Sequence, residues 1–130
     1  MKRLNVPSTK REELVDITAL VREEVRSSGI DTGICVVYCP HTTAGLTINE
    51  HADPAVANDL LVAFERLVAD DIAWTHLEGN SPAHVKATLV GASVQVPIDE
   101  GDLALGTWQG IFLCEFDGPR ARQLWLRFVA

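Results

Sequence analysis

The amino-acid sequence predicts an α+β fold: a single compact domain, residues 1–130, with a mixed, largely antiparallel β-sheet and about three helices. Strand-like segments fall into two groups with helix-like segments between them, which is typical of α+β proteins. Apolar residues recur at helical spacing in the middle of the chain and alternate strictly in its last third. A length of 130 residues fits one domain, and no linker or internal repeat divides it.

The first thirty residues predict two short strands and a helix. The segments RLNV and ELVDI are strand-like, and the polar segment PSTKRE between them is typical of a turn. Ile17, Val21 and Val25 recur at helical spacing, and Thr18 can cap the helix that they predict. Gly29 marks the end of this helix because glycine suits the residue after a helix C-terminus.

A buried strand and a second helix follow. The segment GICVVYC is apolar on both faces, which predicts a central strand, and the alternation of LTINE predicts the next strand. Asp53 followed by Pro54 is a typical helix start. The apolar face of this helix consists of Val56, Leu60, Leu61, Phe64, Leu67 and Val68.

The last half of the chain predicts a loop, a short helix and three strands. Residues 70–80 are polar and form the loop. Ser81 and Pro82 repeat the pattern of a cap followed by proline, and Gly91 ends the helix after Val90. The segments SVQVPI, GIFLCEF and RQLWLRF then show the alternation of strands.

Composition argues against some partners and compartments. The formal net charge of −7 disfavours a surface for nucleic acid or an anionic membrane. No apolar run approaches the length of a membrane span, and the first residues lack the apolar stretch of a secretory signal. The number of cysteines is odd, which predicts buried thiols rather than a disulfide framework for Cys35, Cys39 and Cys114. We therefore expect a cytoplasmic protein with no nucleic-acid or membrane partner.

Histidines are the first candidates for a functional site because none of the four lies in the middle of a predicted strand. His41 follows the buried strand, His76 lies in the loop before the third helix, and His84 lies in the first turn of that helix. The N-terminus of a helix favours the neutral imidazole, which is the form that binds metal, and it can also hold a phosphate. The spacing matches no recognised zinc motif, so ordinary loop histidines remain the alternative.

Other polar residues have an ordinary interpretation beside the functional one. Helix capping explains Asp53, and a solvated strand end explains Glu50. Thr42 and Thr43 either satisfy the backbone of a turn or contact a ligand. Arg120 is either a solvated turn residue or a bidentate partner of a phosphate.

Three segments in a fixed order resemble one known family. They are PHTTAGLTINEHADP, THLEGNSPAHVKATLVGAS and GTWQGIFLCEFDGPR, and they resemble the YjbQ family, whose members carry the label secondary thiamine-phosphate synthase enzyme. The resemblance is strongest between Gly33 and Arg120 and weaker over the rest of the chain. It implies a compact domain with a mixed sheet that assembles as a trimer around a threefold axis.

The resemblance also implies the residues of the site. The family's histidines fall on His41, His76 and His84, which are the implied ligands of a divalent metal ion, zinc or alternatively magnesium. Glu50 and Asp53 fall on the family's acidic pair and are the expected catalytic residues. His51 and Cys39 depart from the family's pattern and are left out of the site. The residues expected to bind substrate or phosphate are Thr42, Thr43, Asn80, Ser81, Gln109 and Arg120, with Lys86 as a further phosphate candidate.

The implied function is a weak or secondary thiamine-phosphate synthase activity, a transfer that joins a pyrimidine diphosphate to a thiazole phosphate at the three-histidine site. Such a metal site is more typical of hydrolytic or Lewis-acid chemistry than of diphosphate ionisation. Two alternatives therefore stay open: a metal-dependent enzyme acting on another small phosphorylated or carbonyl metabolite, and a non-catalytic trimer that binds a metabolite or metal. The expected partners are further copies of the chain and a small phosphorylated metabolite.

Overall fold

The computed structural model describes every residue from Met1 to Ala130 and contains eight strands and three helices. The strands are β1 (Lys2–Pro7), β2 (Glu13–Asp16), β3 (Gly33–Tyr38), β4 (Ala44–Glu50), β5 (Ser93–Asp99), β6 (Asp102–Leu103), β7 (Gln109–Glu115) and β8 (Ala121–Val129). The helices are α1 (Thr18–Ser28), α2 (Pro54–Leu67) and α3 (Ser81–Val90). The three predicted helices and the α+β class are confirmed. None of these helices combines the length and the apolar character needed to cross a membrane.

The strands form two antiparallel sheets, which confirms the largely antiparallel pairing that the sequence predicts but not the single mixed sheet. The larger sheet has the order β1-β8-β3-β5-β6, and the smaller sheet has the order β2-β7-β4. Every strand pair in both sheets is antiparallel. The prediction of a mixed sheet is wrong because alternation identifies the buried face of a strand but does not identify the strand with which it pairs.

The main hydrophobic core is shared by both sheets and helix α1, and it contains 16 buried residues. Helix α1 contributes Val21 and Val25, which are one helical turn apart and fully buried. Strand β7 is buried from its second residue onward because it is the central strand of the smaller sheet. Each fully buried valine contributes roughly 1.5–3 kcal/mol, so this core fixes the strands from which the functional loops extend.

The starts of two helices differ from the predicted capping. Asp53 caps α2 as predicted, since its Oδ1 accepts a backbone N–H of the first turn at 2.9 Å. Thr18 begins α1 but does not cap it, because its hydroxyl donates to Asp16 Oδ1 at 2.6 Å. Asn80, rather than Ser81, occupies the cap position of α3, and its side chain makes no capping hydrogen bond.

The β4–β7 pair has two ends that lead into different loops. Ala44 lies opposite Glu115 at one end, and Glu50 lies opposite Gln109 at the other. The seven residues of β4 span about 20 Å, at a rise of about 3.3 Å per residue. We name the first the histidine end, because His41 lies in the loop just before β4, and the second the glutamate end, after Glu50.

Candidate functional site

A polar pocket with a volume of about 360 Å³ lies at the histidine end. No large apolar side chain lines it. We name it the histidine pocket, and its lining residues are Pro40, His41, Thr42, Thr43, His76, Glu78, Asn80, His84, Arg120 and Arg122. The three histidines singled out in the sequence therefore meet in one pocket, together with both threonines, the asparagine and one arginine that were expected beside them.

Four segments of the chain build this pocket. The loop between β3 and β4 supplies residues 40–43, and the loop between α2 and α3 supplies members of the segment 76–80. Helix α3 supplies His84 from its first turn. Arg120 lies in the connection between β7 and β8, and Arg122 lies near the start of β8. The adjacent strands are anchored in the core, so the lining residues are positioned by rigid elements.

The backbone of strand β8 holds His41 so that one ring nitrogen remains for the pocket. Its Nε2 lies 3.0 Å from both the amide nitrogen and the carbonyl oxygen of Gln123. Either tautomer therefore commits Nε2 to the backbone and leaves only Nδ1 for a ligand. Burial and the positive charge of Arg122 lower the pKa of His41, so the ring is neutral at neutral pH.

His76 and His84 form an edge-to-face pair, with ring centroids 5.2 Å apart and an interplanar angle of 88°. The Nε2 atom of His76 lies 3.8 Å from a carboxylate oxygen of Glu78, and both of these side chains are largely exposed. An exposed pair of this kind contributes little to stability. The arrangement therefore places two imidazole rings where a ligand from solvent can reach them.

Arg122 and Glu115 form a buried ion pair behind the pocket. The side chain of Glu115 is fully buried, and that of Arg122 is 5% exposed. Arg122 Nε donates to Glu115 Oε1 at 2.8 Å, and Nη2 donates to Glu115 Oε2 and to Thr43 Oγ1. Burial alone would raise the pKa of Glu115, but the hydrogen bonds from Arg122 and Ser8 hold it below its ordinary value. These bonds use Nε and Nη2, so Nη1 of Arg122 remains for a ligand.

Arg120 is oriented in a similar way by Asp117. Its Nε donates to the backbone carbonyl of Asp117 at 2.8 Å, and its Nη2 donates to Asp117 Oδ2 at 2.9 Å. Burial alone would raise the pKa of Asp117, but the hydrogen bonds from Asn80 and Arg120 hold it below its ordinary value. Nη1 of Arg120 is also left over, so two guanidinium groups in the lining each keep one uncommitted nitrogen.

Four residues expected in the site lie away from the histidine pocket. Glu50 and Asp53 lie at the glutamate end and do not line the histidine pocket of the same chain, because the whole length of β4 separates them from it. Gln109 also lies at that end, where its Oε1 accepts a backbone N–H at 2.8 Å. Ser81 begins α3 but does not line the pocket. The catalytic roles of Glu50 and Asp53 stay predictions.

Two further sets of reactive side chains have structural surroundings. Lys86 is buried and donates to Glu12 at 2.6 Å and to Glu65 at 3.0 Å, so it ties α3 to its neighbours and is not placed to bind phosphate in the pocket. The three cysteines are buried and free, as predicted. Burial raises the pKa of Cys35 to about 11 and that of Cys114 to about 12, which leaves them as unreactive thiols.

The side chains do not form a metal centre within the chain. No three His, Cys, Asp or Glu side chains are grouped closely enough to hold a metal ion. His41 can offer only Nδ1, since its Nε2 is bound to the backbone of Gln123. His76 and His84 meet edge to face, and no third candidate ligand is grouped with them. The expected three-histidine coordination does not fit this geometry, and a divalent metal cofactor stays a prediction.

Sequence reasoning missed Arg122 and Glu78, which line the pocket. A signal for Arg122 exists in the strand pattern, because it continues the buried alternation of Leu124 and Leu126 toward the start of β8. A charged residue on the buried face of a strand must be paired, and Glu115 is its partner. Glu78 lies in a loop without periodic pattern, so nothing in the sequence could have placed it.

The fold and the pocket define a class of protein: a small α+β domain of two antiparallel sheets with a polar site, lined by histidines and arginines, at one end of the smaller sheet. A family model described as UPF0047 protein YjbQ-like matches residues 2–130. The chain belongs to this family, which confirms the resemblance carried by its motifs.

Similar proteins occur in archaea and bacteria. UPF0047 protein MJ1081 of Methanocaldococcus jannaschii is 48% identical over 127 residues, which cover 98% of this chain and 92% of that protein. UPF0047 protein YugU of Bacillus subtilis is 47% identical over 130 residues, which cover 99% of this chain and 98% of that protein. The crystal structure of an uncharacterized conserved protein of the YjbQ/UPF0047 family from Clostridium acetobutylicum has a TM-score of 0.96 at 46% identity and covers 99% of this chain and 100% of that one.

These comparisons overturn the expected function. A YbjQ-like protein from Sulfolobus solfataricus, with a TM-score of 0.93 and 38% identity over 98% of this chain and 94% of that one, is described as a protein of unknown function. The curated relatives carry only the designation UPF0047, and nothing in them indicates thiamine-phosphate synthesis or metal-dependent catalysis. The prediction of a metal-dependent thiamine-phosphate synthase is therefore wrong. The arrangement within the chain gives it no support either, because the three histidines do not form a group that could hold a metal ion and Glu50 lies at the other end of the sheet.

Proposed function

We propose that the histidine pocket binds a small phosphorylated metabolite. One observation supports this most directly: Arg120 and Arg122 both line the pocket, a carboxylate orients each of them, and each keeps Nη1 uncommitted. Guanidinium groups suit phosphate because their N–H donors match its oxygens in charge and geometry. An arginine that is already oriented also loses less side-chain freedom on binding, which favours affinity.

The size and polarity of the pocket favour a small polar ligand. Its volume of about 360 Å³ is near the lower end of the usual range for ligand sites, about 300–1,000 Å³. The lining has no large apolar side chain, so it offers little binding energy to an aromatic or aliphatic body. A phosphate group on a short polar chain matches both properties.

Neutral donors in the lining complement the two arginines. Thr43 Oγ1 accepts an N–H from Arg122 at 2.8 Å, so its own hydroxyl proton remains for another partner. Thr42 lies beside it in the same loop and also lines the pocket. In the tautomer that accepts the N–H of Gln123, His41 presents its Nδ1–H to a ligand. Hydroxyl and imidazole donors of this kind are suited to the oxygens of a phosphate group.

The test is calorimetric titration of inorganic phosphate into wild type, Arg120→Gln and Arg127→Gln. Arg120 is about half exposed, so its replacement leaves the core intact. Arg127 is an exposed arginine at the other end of β8 and provides a control with the same change in charge. We expect wild type and Arg127→Gln to bind phosphate alike and Arg120→Gln to bind about tenfold more weakly, the effect of losing one hydrogen bond to a charged group.

Two results would contradict this proposal. One is the absence of saturable phosphate binding to wild type. The other is an equal weakening in Arg120→Gln and Arg127→Gln, which would show that binding responds to overall charge and not to the pocket.

An enzymatic role for the pocket, as a transferase acting on the phosphorylated ligand, is a second candidate. The observation that favours it is His41, because a neutral imidazole with its Nε2 fixed by backbone is a suitable proton acceptor through Nδ1 in the second tautomer. Replacement of His41 by Asn, which cannot accept a proton in this way, should abolish turnover of the phosphorylated substrate while the substrate still binds. Turnover in His41→Asn at the wild-type rate would rule out this role.

We also propose that the chain assembles as a homotrimer. Apolar side chains exposed on the larger sheet support an interface there: Ile34 and Tyr38 on β3 are each 44% exposed, and Val129 on β8 is 52% exposed. Tyr38 stacks on Trp125 of β8, with ring centroids 5.8 Å apart, which extends this surface across both strands. Light scattering should return three times the mass of the chain, and a monomer mass would contradict the trimer.

The remaining expectations are open to direct measurement. Metal analysis of protein without an affinity tag, wild type beside His84→Ala, tests the divalent cofactor, because a specific site should lose its ion in the variant. Cell fractionation tests the cytoplasmic location.

A further inference from the structure

The orientation of the Asn80 side-chain amide is fixed by its neighbour. Its Nδ2 donates to Asp117 Oδ2 at 2.9 Å, and the same carboxylate oxygen accepts Nη2 of Arg120 at 2.9 Å. Because the hydrogen bonds outweigh burial and hold the pKa of Asp117 low, this carboxylate is ionised and can only accept. The amide nitrogen of Asn80 must therefore face Asp117, and the amide oxygen must face away from it.

That amide oxygen has no partner. Asn80 is only 7% exposed, and its Oδ1 is one of two buried side-chain polar atoms in the chain without a hydrogen bond. The other is Nε1 of Trp74, which lies outside the pocket lining. Asn80 occupies the cap position of α3, where an asparagine oxygen usually accepts a backbone N–H, yet it makes no such bond. Buried polar atoms nearly always have a hydrogen-bond partner, and the chain supplies no donor for Asn80 Oδ1.

The chemistry of Oδ1 suits a part of the ligand other than its phosphate group. An amide oxygen has lone pairs and no proton, so it repels the oxygens of a phosphate group. The amide nitrogen, which could donate to phosphate, is already bonded to Asp117. Asn80 nevertheless lines the same pocket as the two arginines. Its unsatisfied oxygen is an acceptor that the phosphate group cannot satisfy.

We infer that the ligand of the histidine pocket is a phosphate monoester that carries a hydroxyl group close to the phosphate, and that this hydroxyl donates to Asn80 Oδ1. The inference rests on the proposed function and specifies its substrate class. A hydroxyl fits better than an ammonium group, because Arg120 already neutralises Asp117, the carboxylate that holds Asn80. No unpaired carboxylate is bonded to Asn80 that would favour a second positive charge on the ligand.

The test compares two ligands that differ by one hydroxyl, ethyl phosphate and hydroxyethyl phosphate, with aminoethyl phosphate as a third. Each is titrated calorimetrically into wild type, Asn80→Ala and Asn58→Ala. Asn58 is an exposed asparagine on α2 and provides the matched control. We expect wild type and Asn58→Ala to bind hydroxyethyl phosphate about fivefold more tightly than ethyl phosphate, the gain from one net hydrogen bond. In Asn80→Ala this preference should disappear while ethyl phosphate still binds.

The outcomes separate this inference from the proposed function. Equal affinities of wild type for ethyl and hydroxyethyl phosphate would overturn the hydroxyl assignment even if both bind, and this comparison needs no variant to fold. A preference for aminoethyl phosphate alone would assign the group to an ammonium and overturn it as well. If folded Asn80→Ala keeps the full preference for hydroxyethyl phosphate over ethyl phosphate, Asn80 does not bind the hydroxyl group. If inorganic phosphate and all three esters fail to bind, the proposed function itself is wrong.

Discussion

The two ends of the β4–β7 pair carry similar polar residues, but they differ in how many hydrogen-bonding groups are already satisfied. At the glutamate end, His51 Nδ1 lies 2.9 Å from Asp16 Oδ2, and the other oxygen of Asp16 accepts from Thr18. Asp53 caps α2, and the side-chain oxygen of Gln109 accepts a backbone N–H. The side-chain oxygens of Asp16, Asp53 and Gln109 at this end are therefore used by the fold itself.

The histidine end keeps hydrogen-bonding capacity that the fold does not use. Nη1 of Arg120, Nη1 of Arg122, Nδ1 of His41 and Oδ1 of Asn80 all belong to residues of one pocket lining. Their other polar atoms are bonded to the protein, which fixes their orientation. The comparison teaches that the type of residue does not identify a binding site. The informative side chains are those in which some polar atoms are hydrogen-bonded to the protein while another has no partner.

The largest expected effect in this comparison comes from the buried ion pair behind the histidine pocket. In Arg122→Met, Glu115 stays buried without a partner, and loss of one member of such a pair costs about 3–5 kcal/mol. We expect the free energy of unfolding, measured with urea, to fall by that amount. Arg127→Met, at an exposed position of the same strand, should change it by less than about 0.5 kcal/mol. Similar small losses in both variants would mean that the pair does not support the fold.

The same pair predicts how stability depends on pH. Burial alone would raise the pKa of Glu115, but the hydrogen bonds from Arg122 and Ser8 hold it below its ordinary value of 4.5 in the folded chain. A carboxyl whose pKa is lower in the folded chain than in the unfolded chain stabilises the folded state. This contribution is complete at a pH above the unfolded pKa, and it is lost as the pH falls through the folded pKa. We expect the free energy of unfolding of wild type to decline below pH 4.5 and that of Glu115→Gln to decline less steeply. Parallel declines in urea titrations of the two proteins would exclude Glu115 as the linked group.

A smaller effect is expected at the glutamate end. Asp53→Ala removes the cap of α2 and should lower the free energy of unfolding by about 1 kcal/mol. Asp53→Asn, which keeps a capping oxygen, should restore most of this stability. Neither change should alter phosphate affinity, because Asp53 does not line the histidine pocket. A loss of phosphate binding in either variant would show that the two ends of the sheet act together.

The helices could be predicted from the sequence because their signals are local. Asp53, Pro54 and the apolar residues after them specify α2 without reference to the rest of the chain. The sheets could not be predicted in the same way, since the alternation within a strand indicates its buried face but not the strand with which it pairs. Strand β7, for example, follows β6 in sequence but pairs with β2 and β4.

The site could be predicted in part for the same reason. His41, His76 and His84 stand in loops and at a helix start, where sites are usually built, and the family resemblance grouped them. The resemblance grouped Glu50 with these histidines, whereas β4 carries it to the opposite end of the sheet in the same chain. The role of Asn80 depends on its bond to Asp117, a partner 37 residues away that no local pattern reveals.

The central claim is that ligand binding is confined to the histidine end, and the four histidines allow it to be tested in one experiment. Nuclear magnetic resonance of the imidazole nitrogens, recorded during titration with inorganic phosphate at constant pH and ionic strength, reports both ends of the sheet at once. We predict saturable shifts at His41, His76 and His84 and none at His51. Saturable shifts at His51, or no shift at any of the other three, would contradict the claim.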